Sequence, residues 1–162
     1  MADIPKKPAW LKVPLPGLGK FPEVRKALRE LRLHTVCEES LCPNIGTCWA
    51  QGHATFMILG DICTRRCKFC ATKTGRPAPP EPDEPQRVAE AVKRLGLKYV
   101  IITSVTRDDL PDGGASYFAE TTRLVRKLGV PVEVLVPDFG AREELVAQVL
   151  EAEPTVFAHN VE

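Results

Sequence analysis

The sequence predicts an α/β fold built on a parallel sheet, and three observations carry that expectation. Short apolar runs at 54–60, 98–104, 132–136 and 155–159 have strand length and strand composition. Between them lie segments with apolar residues at helical spacing, at 85–95, 115–128 and 142–150. Gly96 and Gly129 follow two of these helical patterns as C-terminal stops. Strand alternating with helix implies right-handed crossovers and parallel strands.

Taken in order, residues 1–20 hold four lysines and four prolines and suit neither a helix nor a central strand. An extended arm is expected, lying on the body through Trp10, Leu11, Val13 and Leu15. Pro22 suits the first turn of a helix that ends near Leu33 and turns Val24, Leu28 and Leu31 inward. From Cys37 to Cys48, Pro43-Asn44 and Gly46-Thr47 predict a loop that wraps a centre. The run at 54–60 does not alternate apolar with polar residues, so it reads as a strand buried on both faces, and 98–104 reads likewise. The proline-rich stretch 75–85 is expected to be an extended, semi-rigid connector. The three following helices turn inward Val88, Ala89, Val92 and Leu95, then Phe118, Leu124, Val125 and Leu128, then Leu145, Val149 and Leu150.

All six cysteines fall between positions 37 and 70. Cys63, Cys67 and Cys70 form a C-x3-C-x2-C triplet directly after the first predicted strand. Cys37, Cys42 and Cys48 form a C-x4-C-x5-C triplet before it. Three thiolates fall one short of the four protein ligands of a structural zinc, whereas around a cubane iron–sulfur cluster they leave one iron open to a small molecule. Zinc completed by His34 or His53 stays open at this point, as does a set of three disulfides. The clustering favours metal and a reducing compartment. With 22 basic and 21 acidic residues, the net charge of +1 gives no field for nucleic acid or an anionic membrane. No apolar run approaches the roughly 20 residues of a membrane span, and the N-terminal stretch has the wrong composition for a secretory signal or transit peptide.

Polar or ligand residues follow every predicted strand: the second triplet, then Thr106 to Asp109, then Asp138, then Asn160 and Glu162. In a parallel barrel these ends surround one mouth, where side chains that do chemistry collect. Taken singly, Asp108, Asp109 and Asp138 read as loop or capping residues, and His53 and His159 as buried, satisfied histidines.

The second triplet, with Phe69 before its last cysteine, resembles the signature of the radical S-adenosylmethionine superfamily. Together with the first triplet and the stretches 33–39, 103–110, 112–115, 136–139 and 159–162, it resembles the lipoyl synthase family within it. The resemblance implies a partial (β/α) TIM-like barrel of the radical SAM type, here about four parallel strands. Residues 53–162 would form that barrel, and residues 1–52 an N-terminal extension carrying an auxiliary cluster loop. It also implies two 4Fe-4S clusters, one on Cys63, Cys67 and Cys70 and an auxiliary one on Cys37, Cys42 and Cys48. S-adenosylmethionine would lie at the mouth near Phe69, Ser104, Thr106 and Asn160.

The implied reaction inserts two sulfur atoms at C6 and C8 of an octanoyl chain on a lysine of a lipoyl carrier protein. Such carbons have no proton that a side-chain base could remove, so a radical is required. The cluster on Cys63, Cys67 and Cys70 would start it by reducing S-adenosylmethionine, and the auxiliary cluster would give up the sulfurs. Implied partners are a lipoyl domain or a glycine cleavage H protein, with ferredoxin or flavodoxin as electron donor, in the cytoplasm, and with no role for nucleic acid or membrane. Two departures stand out: the family's C-terminal Arg-Ser-Ser-Tyr-type motif, which supplies a serine ligand, does not occur here, nor does the usual Gly-Gly-Glu motif after the second strand. The sequence-based expectation is therefore an N-terminal portion with little turnover of its own. The alternatives are a zinc-binding structural or interaction module and another sulfur-inserting radical enzyme, resembling biotin synthase or a tRNA methylthiotransferase.

Overall fold

The computed structural model describes Pro8 and residues 21–160. The expected N-terminal arm with Trp10, Leu11, Val13 and Leu15 lies outside the described residues, as do Val161 and Glu162. Helix α1 (Phe21–Glu30) buries Val24, Ala27 and Leu28. It ends in a Schellman motif, Leu33 N to Leu28 O (2.9 Å) and Arg32 N to Arg29 O (3.1 Å), with Arg32 at φ +51° where glycine is usual.

Strand β1 (His34–Thr35) and helices α2 (Val36–Glu39) and α3 (Ile45–Gln51) follow. The expected loop from Cys37 to Cys48 is thus largely helical. Thr35 Oγ1 accepts Glu38 N (3.3 Å) and starts α2, a capping signal legible in Thr35-x-x-Glu38. Gly52, at φ +82°, closes α3.

Next come β2 (His53–Ile58), a two-residue parallel ladder of β3 (Ile62–Cys63) with β4 (Lys73–Thr74), α4 (Glu84–Leu95), β5 (Tyr99–Ser104), α5 (Ala115–Arg126), β6 (Val132–Leu135), α6 (Glu143–Leu150) and β7 (Val156–Ala158). The main sheet has the order β1-β2-β5-β6-β7; β1 is antiparallel and the rest are parallel. This is the α/β architecture of a partial (β/α) barrel. Register aligns Ile58 with Ser104, Thr103 with Leu135 and Leu135 with Ala158, so the C-terminal strand ends fall along one edge.

Phe56, Ile102 and Val134 stand side by side on one face of the sheet, fully buried, and share a core with Val88 and Val92 of α4, Phe118 and Val125 of α5 and Val149 of α6. The other face carries Thr55, Ile101 and Glu133, all half-buried. The expectation that 98–104 is buried on both faces is therefore corrected: β5 alternates, because its two faces are unequally covered. Two expected core residues are also corrected. Leu128 is 40% exposed because α5 ends at Arg126 and the following turn rotates it off the apolar stripe. Leu150 is 47% exposed because Leu145 and Val149, four apart, define the inward face of α6, and the next residue points away. Among the described residues no helix is long and apolar enough to cross a membrane.

Candidate active site

The site is built outward from the turn that follows β2. Leu59 (φ +68°) and Gly60 (φ +93°) both adopt left-handed backbone, and this swings the chain out of the sheet into the second cysteine loop. A left-handed leucine is costly and persists only where its surroundings hold it. Here both backbone groups of Leu59 are taken by buried charged side chains from distant elements. Its N–H donates to Glu84 Oε2 (2.8 Å) and its carbonyl accepts Arg107 Nη1 (3.1 Å). Burial pushes the Glu84 carboxyl up, against the opposing pull of the Leu59 amide and Arg87. Arg107, only 1% exposed, also donates to Ala78 O (3.0 Å) and pairs with Asp109 (2.8 Å). Neither Glu84 nor Arg107 declares its role in the sequence. Arg107 lies among the polar residues 106–109 after a predicted strand, and Glu84 lies in the proline-rich connector with no local sign of a buried role.

From that turn the loop carries Cys63, Cys67 and Cys70. Cys63 Sγ accepts Arg65 N (3.4 Å) and Thr106 N (3.3 Å), and Cys70 Sγ accepts Thr72 N (3.4 Å). N–H donors to sulfur of this kind tune an iron–sulfur centre. Thr64 stitches the loop to the end of β5: its N–H and Oγ1 both donate to Thr106 O (3.0 and 2.9 Å), and its Oγ1 accepts Asp108 N (3.1 Å).

Arg65 adds a wider clamp. Its guanidinium meets Asp108 with Nε and Nη2 (2.8 and 2.7 Å) and Asp138 with Nη1 and Nη2 (2.6 and 3.0 Å). One side chain thereby joins the loops after β3, β5 and β6. The Arg65 hydrogen bonds, aided by Gly140 N–H, hold the Asp138 carboxyl down at about 2. Those of Arg65 also hold Asp108 below its usual range, and the two carboxylates raise Arg65 in turn. Asp138 additionally caps the turn Phe139–Ala141 by accepting Gly140 N (2.9 Å). The capping expected of Asp138 is present, then, but it is half of what the residue does.

A mouth cavity of 370 Å³ opens at the strand ends. It brings together Cys63, Cys67, Cys70, Phe69, Ser104, Thr106 and Asn160, along with Arg65, Asp138 and His159. Phe69 is 72% exposed on the rim. Ser104 also lines the cavity, and its Oγ is buried with no hydrogen-bond partner among the described residues. The expectation that His53 and His159 are buried is corrected. His159 is exposed at the mouth with Nδ1 2.8 Å from Val136 O, because it lies just past β7. His53 is exposed at the start of β2 with its ring 5.8 Å from that of Tyr99. The Asp112-Gly113-Gly114 segment turns the chain into α5, Asp112 accepting Gly114 N and Ser116 N at 3.0 Å each.

The first triplet sits at the β1 edge, and none of it lines the mouth cavity. Burial, and then the neighbouring Cys37 and Cys42, push the Cys48 thiol up, so the three sulfurs share one locality. His34 turns its Nδ1 toward Glu39 (3.5 Å). Among the described residues, no three His, Cys, Asp or Glu side chains converge as they would on a single metal ion.

The cysteines of the second triplet thus gather at the C-terminal edge of a parallel sheet, where a partial barrel collects its chemistry. The radical SAM superfamily profile matches residues 57–162, and the chain belongs to that superfamily, whose members pair S-adenosylmethionine with 4Fe-4S chemistry. The more particular likeness is to lipoyl synthases. The N-terminal domain of lipoyl synthase of the radical SAM family matches residues 2–42. The lipoyl synthase of Thermus thermophilus is 57% identical over 159 residues, covering 96% of this chain and 49% of the relative. That of Pyrobaculum calidifontis is 56% identical over 158 residues (96% and 54%), and that of Symbiobacterium thermophilum 53% over 163 residues (99% and 51%). The chain spans about half the length of the curated relatives it matches.

Proposed function

We propose that this chain serves as a lipoyl synthase, taking part in radical insertion of sulfur at C6 and C8 of an octanoyl chain held on a lysine of a lipoyl carrier protein. The observation that carries the reading is the pair of cysteine triplets, set in a chain 53–57% identical to lipoyl synthases along nearly its whole length. Cys63, Cys67 and Cys70 would hold the 4Fe-4S cluster at the mouth, and Cys37, Cys42 and Cys48 the auxiliary one. When bound, the mouth cluster would supply the electron for reductive cleavage of S-adenosylmethionine.

The chain's own residues do the rest. Backbone N–H groups of Arg65, Thr106 and Thr72 hold the sulfurs, Arg65 fixes the loop against two strand ends, and the cavity shelters the cofactor. Phe69, Thr106 and Asn160 line the space beside the cysteines, where adenine, ribose and methionyl groups would lie. The carrier is a lipoyl domain or a glycine cleavage H protein, the electron donor a ferredoxin or flavodoxin, and the compartment the reducing cytoplasm. The clustering of all six cysteines between positions 37 and 70 supports that compartment.

The test is anaerobic reconstitution followed by assay of iron, acid-labile sulfide, zinc and reductive S-adenosylmethionine cleavage. We expect about eight iron and eight sulfide when both triplets load, and about four when only the mouth triplet does. Cys63→Ala should abolish cleavage of S-adenosylmethionine, whereas Cys48→Ala should preserve it and lose only auxiliary iron. Zinc without sulfide would replace this reading with a structural metal module.

A further inference from the structure

The second cysteine loop leaves and rejoins the fold at one side chain. At its start, Leu59 O accepts Arg107 Nη1 (3.1 Å); beyond its last cysteine, Ala78 O accepts Arg107 Nη2 (3.0 Å). Cys63, Cys67 and Cys70 all lie between these two anchors. The β3–β4 ladder, with Gly75 N–H donating to Cys63 O (3.0 Å), draws the two arms of the loop together. The guanidinium that holds both ends is itself fixed: Asp109 accepts its Nε (2.9 Å) and Nη2 (2.8 Å), and the residue is buried. Its neighbours in the chain grip the same loop further along. Thr106 N–H donates to Cys63 Sγ (3.3 Å), and Asp108 accepts Arg65 Nε (2.8 Å). A flexible loop loses conformational entropy when three of its side chains are drawn onto one centre, and pinning its ends beforehand lowers that cost.

We propose that Arg107 is a positioning residue for the centre on Cys63, Cys67 and Cys70: a buried clasp that closes both ends of the cysteine loop on one guanidinium before any cluster binds. The inference rests on the reading of the second triplet as a cluster site. Arg107 does not line the mouth cavity, so it acts through Leu59 and Ala78 and not on the sulfurs. Buried carbonyls that lose such a donor have no water to turn to, which makes the clasp hard to open. A planar fork suits the task, because its separate nitrogens reach two carbonyls from different segments while Asp109 fixes its plane.

The test compares the full chain with Arg107→Met, which removes the clasp, and with Arg107→Lys, which keeps the charge but offers one nitrogen in place of the fork. Val149→Ala, in the buried face of α6, is the control that loosens the core away from the loop. Amide hydrogen exchange on the metal-free chain follows Thr64 N–H and Gly75 N–H, which bond to Thr106 O and Cys63 O. We expect exchange at both to quicken about tenfold or more in the Arg107 variants relative to Val149→Ala. After anaerobic reconstitution in a Cys48→Ala background, which loses auxiliary iron, a chelator should strip iron about tenfold faster from Arg107→Lys than from Val149→Ala. The electron paramagnetic resonance g-values of the reduced cluster should shift in Arg107→Lys and not in Val149→Ala. An Arg107→Lys chain that matched Val149→Ala in exchange, iron release or spectrum would overturn the proposal, and would do so even if Arg107→Met failed to fold. Exchange that quickened equally throughout the chain would also overturn it, because Arg107 would then support the core at large and not the loop. Uptake of zinc without sulfide by the unaltered chain would instead overturn the functional reading, and the metal-free exchange experiment would still decide the clasp.

Discussion

A β-carbon on Gly114 would lie 2.2 Å from Leu59 Cδ1, so the glycine ahead of α5 makes room for the leucine that aims the cysteine loop. Gly114 also sits at φ +90°, and Leu59 is buried, so neither side can give way easily. Gly114→Ala should destabilise the fold by about 1–3 kcal/mol, through overpacking and backbone strain together. Adding Leu59→Ala should recover the steric part, leaving the pair non-additive in denaturant unfolding by about 0.5–3 kcal/mol. Strict additivity would mean that the close approach carries no energy.

Glu84 reaches the same leucine from the other side, and its titration has a definite sign. Because burial raises its carboxyl above the ordinary 4.5, the folded chain binds this proton more readily than the unfolded one. The resulting stability is fully present below the ordinary value and fades as pH rises through the raised one. Glu84→Gln keeps an acceptor for Leu59 N–H and should remove this slope in urea titrations between pH 4 and pH 8. Glu84→Ala strands a buried N–H and should cost about 1–3 kcal/mol. An unchanged slope in the glutamine variant would contradict the assignment.

Arg107 is a buried cation with three acceptors in different segments. Arg107→Met leaves the carbonyls of Leu59 and Ala78 and the Asp109 carboxylate without it. A loss of about 3–5 kcal/mol is expected in the urea midpoint. A loss below about 1 kcal/mol would show that solvent satisfies these groups.

The Arg65 clamp should be sensitive to acid. Asp138 is held at about 2 and Asp108 is also lowered, so the clamp's contribution is present above the ordinary carboxylate range and lost as pH falls through the depressed values. Both carboxylates are nearly half exposed, so the effect on global stability is screened and small. Carboxyl NMR should place the Asp138 midpoint near 2 in the native chain and move it upward in Arg65→Gln. A midpoint indifferent to that substitution would dissolve the clamp.

Local periodicity made much of this fold legible. The strands 54–60, 98–104, 132–136 and 155–159 and the helix stops at Gly96 and Gly129 show in residue spacing alone, because each depends on neighbours within a turn or two. Cysteine spacing located the candidate site for the same reason: all three sulfurs of each triplet lie within a dozen residues. Short elements were harder. β1, α2, α3 and the β3–β4 ladder have two to seven residues each, too few for a period to declare itself.

The sequence by itself determined the alternation of strand and helix, the two cysteine triplets and the edge at which polar residues collect. Only the tertiary structure decided that Glu84, Arg107 and Gly114 converge on Leu59, and that Arg65 spans Asp108 and Asp138. Those contacts join residues 25 to 73 positions apart in sequence, and their energy comes from charge and shape met after the sheet has closed, so no local pattern can announce them.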